Sequence, residues 1–125
     1  MISSLIEEFP SIKEQFKNAK PAMPLLTTSR MQRRSTKMVG ENWAMLPHSA
    51  SFLDPLHSAG NAHTLCGIER LMPILLEQNI QRSAQLLEYE RTTFHEFELL
   101  YKIIHGCYKC FGDFELLSNY VMLYF

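Results

Sequence analysis

Apolar residues recur at helical spacing in the middle of the chain. Four of them are three, four and three positions apart: Leu65, Ile68, Met72 and Leu75. This spacing predicts a helix over residues 60–77, with the apolar row facing a core. Pro73 has no backbone donor, so we expect it to bend or end this helix.

A second helical pattern covers about residues 80–110. Its side chains form one stripe, in which a single acidic residue is the exception: Leu86, Glu90, Phe94, Phe97, Tyr101, Ile104 and Tyr108. The pair Gly112-Asp113 predicts the end of this helix and the cap of another. In that last helix four residues share a face: Phe114, Leu117, Val121 and Tyr124. Aromatic residues at this spacing are more often core than substrate pocket.

The N-terminal residues carry two helix-start signals. Ser4-x-x-Glu7 and Ser11-x-x-Glu14 both have the spacing of a capping box. Pro10 lies between them and is expected to end the first helix. A second helix is therefore expected to follow the second capping box.

The segment that follows favours extended structure. Lys20–Pro24 contains two prolines and predicts an extended crossing segment. Strands are predicted near residues 26–38 and 43–47, and Gly40 allows a hairpin turn between them. The predicted fold is one domain over residues 1–125, mostly α-helical with a small β element.

Composition excludes several classes of protein. The chain has 125 residues, of which 46% are hydrophobic, so it can build a core. Its net charge of −1 argues against a dedicated nucleic-acid binder. No apolar run approaches the roughly 20 residues of a membrane span, and the acidic N-terminus is not a signal peptide. Three cysteines, an odd number, fit a reducing cytoplasm better than a disulfide framework.

One short run is basic, and it has two interpretations. Its residues are Arg30, Arg33, Arg34 and Lys37. A solvated strand or loop face is the favoured interpretation. In the alternative, one arginine meets a dinucleotide phosphate in an intact enzyme.

Residues 54–61 carry the strongest candidate chemistry. An apolar strand leads into Asp54-Pro55, then into small residues, and then into the start of a helix. Small residues there let a ligand reach backbone N–H groups, which carry the positive end of the helix dipole. Spacing alone favours the simpler interpretation, an Asp-Pro turn that caps a helix.

This segment resembles the flavin-contacting loop of flavin-dependent halogenases, Asp-Pro-Leu-x-Ser-x-Gly. The fixed positions are matched by Asp54, Pro55, Leu56, Ser58 and Gly60. Segments on both sides look similar to the same family: Phe9-Pro10-Ser11, Glu14-Gln15-Phe16, Arg30–Arg34, Gly40–Trp43, His63–Leu71 and Tyr120–Phe125. The resemblance covers nearly the whole chain, and the order and spacing of its motifs together are fairly specific.

The resemblance implies the C-terminal, mostly helical part of an FAD-dependent monooxygenase-like fold. Residues 1–24 would be a helical lead-in, residues 25–58 strands with the flavin-side loop, and residues 59–125 a helical region. The intact enzyme would use FAD and oxygen to oxidise halide or a small-molecule substrate.

The resemblance also implies roles for individual residues. Asp54 and Pro55 would line the ribityl and ring side of FAD, and the backbone N–H groups of Gly60 and Asn61 would face the pyrimidine edge. The backbone at Ala59 and Gly60 would hold the halide. His57 stands where tryptophan halogenases carry a glutamate, and Asn61 where they carry an aliphatic residue, so tryptophan is not implied as the substrate.

Parts of the family pattern are absent from this sequence. It contains no GxGxxG motif, which holds a dinucleotide pyrophosphate, and no Trp-x-Trp-x-Ile-Pro segment. The family's catalytic lysine would lie in the missing N-terminal half. We therefore expect the chain alone to be inactive, to need that half as a partner, and to self-associate through exposed apolar surface.

Two alternatives stay open. The chain could be a standalone helical interaction module that uses an aromatic face. It could also be a small zinc-stabilised domain, because His63-x-x-Cys66 and Cys107-x-x-Cys110 supply four ligands in two close pairs. Buried cysteines on two helices are the more common interpretation of such pairs.

Overall fold

The computed structural model of the chain describes residues 6–24, 26–76 and 81–122. Helices dominate this part of the chain, as predicted. Their bounds are α1 Pro10–Phe16, α2 Pro47–Ala50, α3 Ala59–Leu76, α4 Arg82–Cys110 and α5 Phe114–Met122, with a 3₁₀ turn at Leu56–Ser58. The predicted helices near 60–77 and 80–110 correspond to α3 and α4. Ile80 and Tyr124 lie outside the described residues.

The β structure consists of two short antiparallel pairs. One pair joins β1, Arg33–Arg34, to β4, Ser51–Phe52. The other is a hairpin of β2, Val39–Gly40, and β3, Trp43–Ala44. The predicted turn after Gly40 is therefore confirmed.

The predicted strand over residues 26–38 is wrong in length. Only residues 33 and 34 of that stretch pair in a ladder, and Thr27 and Thr28, whose β-propensity favoured a strand, are exposed. β-propensity depends on a neighbouring strand and a buried face, and these threonines have neither. The predicted strand over residues 43–47 ends at Ala44, and Pro47 instead begins α2, where its missing N–H costs nothing.

Residues 6–8 are helical and Phe9 is not, so the first predicted helix ends just before Pro10, as predicted, but the next helix begins differently from the prediction. Pro10 occupies the first turn of α1, and Phe9 is its N-cap without a side-chain hydrogen bond. Ser11 lies inside the helix and does not cap it. Proline is pre-organised for the first helical position, which explains why α1 starts there. Ser4 lies outside the described residues.

The core lies where α3 and α4 meet the hairpin. Its buried residues are Met38, Val39, Ala50, Leu71, Leu86 and Tyr89. Glu90, the exception in the α4 stripe, accepts hydrogen bonds from the backbone N–H groups of Met38 at 2.6 Å and Val39 at 3.2 Å. Tyr89 donates to the carbonyl oxygen of Met45 at 3.0 Å. Two neighbouring residues of α4 thus fix the hairpin against the helix.

The predicted inner face of α3 is wrong. Leu65, Ile68, Met72 and Leu75 are 66%, 36%, 45% and 47% exposed. The buried residues of this helix are instead Ala59, His63, Gly67 and Leu71. A Cβ on Gly67 would lie 2.4 Å from Cγ of Pro47, so only a face of small residues can approach α2 this closely. Helix α3 continues past Pro73 and ends at Leu76, so the proline does not terminate it there.

The remaining helical predictions are partly confirmed. In α4, Leu86 and Ile104 are buried, but Tyr101 and Tyr108 are 45% and 46% exposed. Asp113 caps α5, because its Oδ1 accepts from the N–H of Leu116 at 2.9 Å. Phe114, predicted to share a packed face of that helix, is exposed.

Candidate functional site

Asp54 is held in place by two hydrogen bonds. Its Oδ1 accepts from the backbone N–H of Leu56 at 2.8 Å, which closes a tight turn after β4. Its Oδ2 accepts from the hydroxyl of Tyr108 at 2.7 Å. This hydrogen bond raises the pKa of Tyr108, so the phenol stays protonated as the donor. The carboxylate is therefore fixed both by its own turn and by α4.

The turn that follows Asp54 contains two unusual backbone conformations. His57 has φ 55° and Ser58 has φ 54°, both in the left-handed region. Such conformations cost on the order of 1–3 kcal/mol each outside glycine, and surrounding contacts must maintain them. The His57 Nε2 lies 3.9 Å from the Sγ of Cys107. Cys107 and Tyr108 of α4 therefore both contact this loop. The sequence pattern predicts Tyr108 as part of a core face, because nothing local in the chain links it to Asp54.

Helix α3 starts directly after this turn. The N–H of Ala59 donates to the carbonyl oxygen of Leu56, which makes the 3₁₀ turn and α3 continuous. The next N–H groups, at Gly60 and Asn61, belong to the first turn of α3, which carries the positive end of the helix dipole. Ala59 is buried, whereas Asn61 is exposed.

Gly60 has a structural reason to be small. A Cβ at this position would lie 2.9 Å from Nδ1 of His48, which comes from α2. His48 also packs edge-on against Phe52, with ring centroids 5.2 Å apart. The His48 side chain thus occupies the space beside Gly60. A ligand can approach the start of α3 only from directions that His48 leaves open.

The loop separates two concavities. Beneath it lies a cavity of about 20 Å³, whose lining includes Ala59, Gly60, His48 and His63. This volume suits one water-sized species and excludes a flavin ring. Of the predicted site residues, Asp54, Ala59 and Gly60 line this cavity.

On the other side of the loop is an open groove of about 590 Å³. Its lining includes Asp54, Pro55, Arg30, Phe52 and Tyr108. Small-molecule sites commonly have volumes of 300–1,000 Å³, so the groove can accept part of a large ligand. The groove therefore brings Asp54 and Pro55 together with one arginine of the basic run. Another, Arg34, pairs instead with Glu98 at 2.8 Å.

A polar cluster connects α3 to α4 next to the small cavity. Nε2 of His63 lies 3.4 Å from Oε2 of Glu96, and Arg70 forms two contacts of 2.6 Å with the same carboxylate. Burial lowers the pKa of His63, although the charge of Glu96 acts in the opposite direction. The imidazole is thus neutral at neutral pH.

The four residues of the zinc alternative do not form a site. His63 is engaged with α4, Cys66 is exposed, and Cys107 and Cys110 are buried along α4. Within the part of the chain that the structure describes, no three His, Cys, Asp or Glu side chains come together to hold a metal ion.

Comparison with known proteins identifies the family. The profile described as tryptophan halogenase matches residues 7–112, which include the whole loop and both long helices. The chain belongs to the tryptophan halogenase family. The resemblance to flavin-dependent halogenases seen in the sequence is therefore confirmed.

Two curated proteins named as halogenases align with almost all of this chain. The tetracycline 7-halogenase of Kitasatospora aureofaciens is 36% identical over 122 residues, which cover 93% of this chain and 21% of that enzyme. The monodechloroaminopyrrolnitrin halogenase PrnC of Pseudomonas fluorescens is 30% identical over 122 residues, 95% of this chain and 22% of that enzyme. This halogenase-family chain thus spans about a fifth of the length of these relatives.

No solved structure matches the chain. Among its described residues, none of the helices combines the length and the apolar character that crossing a bilayer requires.

Proposed function

We propose that this chain is the part of a flavin-dependent halogenase-like oxidoreductase that helps to form the FAD isoalloxazine and halide site. Family membership supports a flavin enzyme, and the curated relatives are named as halogenases. The observation that carries the proposal is the loop at residues 54–58. It presents Asp54 and Pro55 to an open groove on one side and the start of α3 to a small cavity on the other.

The groove is the proposed place for the ribityl and ring side of FAD. Asp54 already accepts two hydrogen bonds, and a carboxylate has about four acceptor positions, so it can also accept from a ribityl hydroxyl. Pro55 offers an apolar edge beside it. Arg30 in the same groove offers a cation for a phosphate, which was the alternative interpretation of the basic run.

The start of α3 is the proposed place for the pyrimidine edge and the halide. Gly60 and Asn61 supply first-turn N–H groups, and Asn61 is exposed to a ligand arriving from outside. Ala59 and Gly60 line the cavity of about 20 Å³, whose size suits a single ion rather than an organic group. The positive end of the α3 dipole favours an anion at both places.

Catalysis by this route needs more polypeptide than this chain contains. Bound FAD supplies the redox chemistry, and the protein positions the reactants. The sequence has no GxGxxG turn for the cofactor pyrophosphate, and the family resemblance assigns the catalytic lysine to the missing N-terminal part. We therefore propose that the chain alone is inactive and functions together with an FAD-binding part of the enzyme.

A chimeric halogenase tests this proposal. In the chimera, the matching segment of the Kitasatospora tetracycline 7-halogenase is replaced by this chain, and FAD affinity is measured by flavin fluorescence. We expect the chimera to bind FAD, the isolated chain to bind it at least about 100-fold more weakly, and Asp54→Ala to weaken the chimera by about tenfold. Asp113→Ala is the matched control, because the Asp113 carboxylate caps α5. A folded chimera that binds FAD equally well with and without Asp54 contradicts the flavin role.

A second candidate function is a standalone helical interaction module. Several large apolar side chains are exposed, among them Leu65 at 66% and Phe114 at 85%. Sedimentation equilibrium of the isolated chain distinguishes the two functions. A tight dimer, together with a chimera that is folded but free of FAD, favours the interaction module.

A further inference from the structure

Helix α3 has a second apolar face that nothing in the described chain covers. Its members, here called the outer face, are Leu65, Ile68, Met72, Leu75 and Leu76. Their exposed fractions range from 36% for Ile68 to 73% for Leu76. The first four follow a spacing of three and four residues, so they form a continuous row about 15 Å long. Contiguous exposed apolar rows on a helix mark interaction surfaces.

The outer face is a continuation of the proposed flavin site. Asn61 lies four residues before Leu65, so both side chains project from the same side of α3. Any polypeptide that brings FAD to Asn61 must approach from that side. The row that begins at Leu65 is then the first surface of α3 that this polypeptide meets.

The length of the relatives identifies the occupant. They align with this chain over only 21% and 22% of their own length, so about four fifths of a family enzyme lies outside it. The row itself is apolar, and the exposed Glu69, four residues after Leu65, lies at its edge. Arg70 lies on the inner side of α3, where it is paired with Glu96. An apolar surface on a folded protein fits such a row better than nucleic acid or an acidic peptide.

We infer that the outer face of α3 is the surface on which the FAD-binding part of the enzyme docks. This inference rests on the proposed function, since it names the partner of the same site. Docking buries the apolar row and at the same time fixes the first turn of α3 against the cofactor. The inner face holds α3 to its own domain, and the outer face joins that domain to the rest of the enzyme.

Thiol accessibility in the chimera tests the docking surface. The background is Cys66→Ser, because Cys66 is exposed whereas Cys107 and Cys110 are buried. Leu65→Cys and Ile68→Cys are then alkylated in the isolated chain and in the chimera, with the rates read by mass spectrometry. We expect both thiols to react at least about tenfold more slowly in the chimera. Leu87→Cys on α4 serves as the matched control, because Leu87 is 61% exposed and Leu65 is 66% exposed.

A charge substitution provides an independent measurement. Leu65→Asp leaves the thermal unfolding of the isolated chain nearly unchanged, because the side chain is exposed there. In the chimera it lowers the unfolding temperature and the FAD content, while Leu87→Asp does neither.

The outcomes separate this inference from the proposed function. A chimera that holds FAD while its residue-65 and residue-68 thiols react as fast as in the isolated chain overturns the docking surface alone. Protection without FAD binding supports docking and contradicts the flavin role. If instead both thiols are already protected in an isolated chain that sediments as a dimer, the occupant is a second copy and the inference is overturned.

Discussion

The two faces of α3 differ in a way that hydrophobicity does not explain. The inner face carries Ala59, His63, Gly67 and Leu71 and is buried, although three of these residues are small or polar. The outer face carries larger apolar residues and is exposed. The difference shows that burial within this chain follows the shape of the neighbouring helices. The larger apolar side chains are left for a partner.

Leu71→Ala and Leu75→Ala compare the two faces with the same substitution in one helix. Leu71 is 6% exposed in the core, so its truncation leaves a cavity and costs about 3 kcal/mol of unfolding free energy. Leu75 is 47% exposed, and its truncation changes the isolated chain by less than about 0.5 kcal/mol. Urea denaturation of the two variants gives both values. Equal losses would mean that the outer face is packed within the isolated chain.

Gly67→Ala tests the close contact on the inner face. The new Cβ would lie 2.4 Å from Cγ and 2.5 Å from Cδ of Pro47, whose ring cannot turn away. The overlap forces α2 and α3 apart, at an expected cost of about 2 kcal/mol in unfolding free energy. Gly112→Ala is the control, because a Cβ there meets nothing within 4 Å. If Gly67→Ala is neutral by urea denaturation, the contact between α2 and α3 is looser than described.

Tyr108→Phe carries the comparison to the end of α3 that is proposed to face the cofactor. The substitution removes the donor to Asp54 but keeps the ring, so the carboxylate loses its link to α4. We expect FAD affinity in the chimera to fall by about threefold, a typical result of losing one hydrogen bond. Tyr101→Phe is the control, since Tyr101 is equally exposed but stacks on His105. Flavin fluorescence titration gives both affinities. An unchanged FAD affinity for Tyr108→Phe would show that cofactor binding does not depend on the hydrogen bond between Tyr108 and Asp54.

Periodicity predicted the long helices well but assigned the wrong face of α3 to the core. The extents of α3 and α4 follow from local spacing, which the sequence contains. The buried face depends on Pro47, which was predicted to end a strand and instead starts a helix against Gly67. A signal for the correct face was present. Ala59, His63, Gly67 and Leu71 recur every four residues, and small residues at that spacing favour close helix packing.

The candidate site was predicted in part. The motif drew attention to Asp54 and Pro55, and the structure brings both to one groove. It could not indicate Tyr108, which is 54 residues away and meets Asp54 only through the packing of α4. It also suggested that Gly60 is small for the benefit of a ligand, whereas His48 already occupies the space beside it.

The smallest expected effect is the pH dependence of stability that comes from His63 on the inner face of α3. Burial lowers the pKa of His63 in the folded chain, so the unfolded chain binds a proton at this position at higher pH. Stability is therefore full above the ordinary histidine pKa of about 6.5 and declines as the pH falls through that value. We expect His63→Gln to reduce the loss of Tm between about pH 7 and about pH 5.5 by about 2 °C.

Thermal unfolding across that pH range measures the effect of His63. His105→Gln is the control, because His105 is exposed on α4 and stacks on Tyr101. Protonation of His63 requires charge in a buried place between α3 and α4, where Glu96 already shares its carboxylate with Arg70. A His63→Gln variant that keeps the full pH dependence would show that the inner face admits water at this point. The buried character of that face would then be limited to its apolar and small residues.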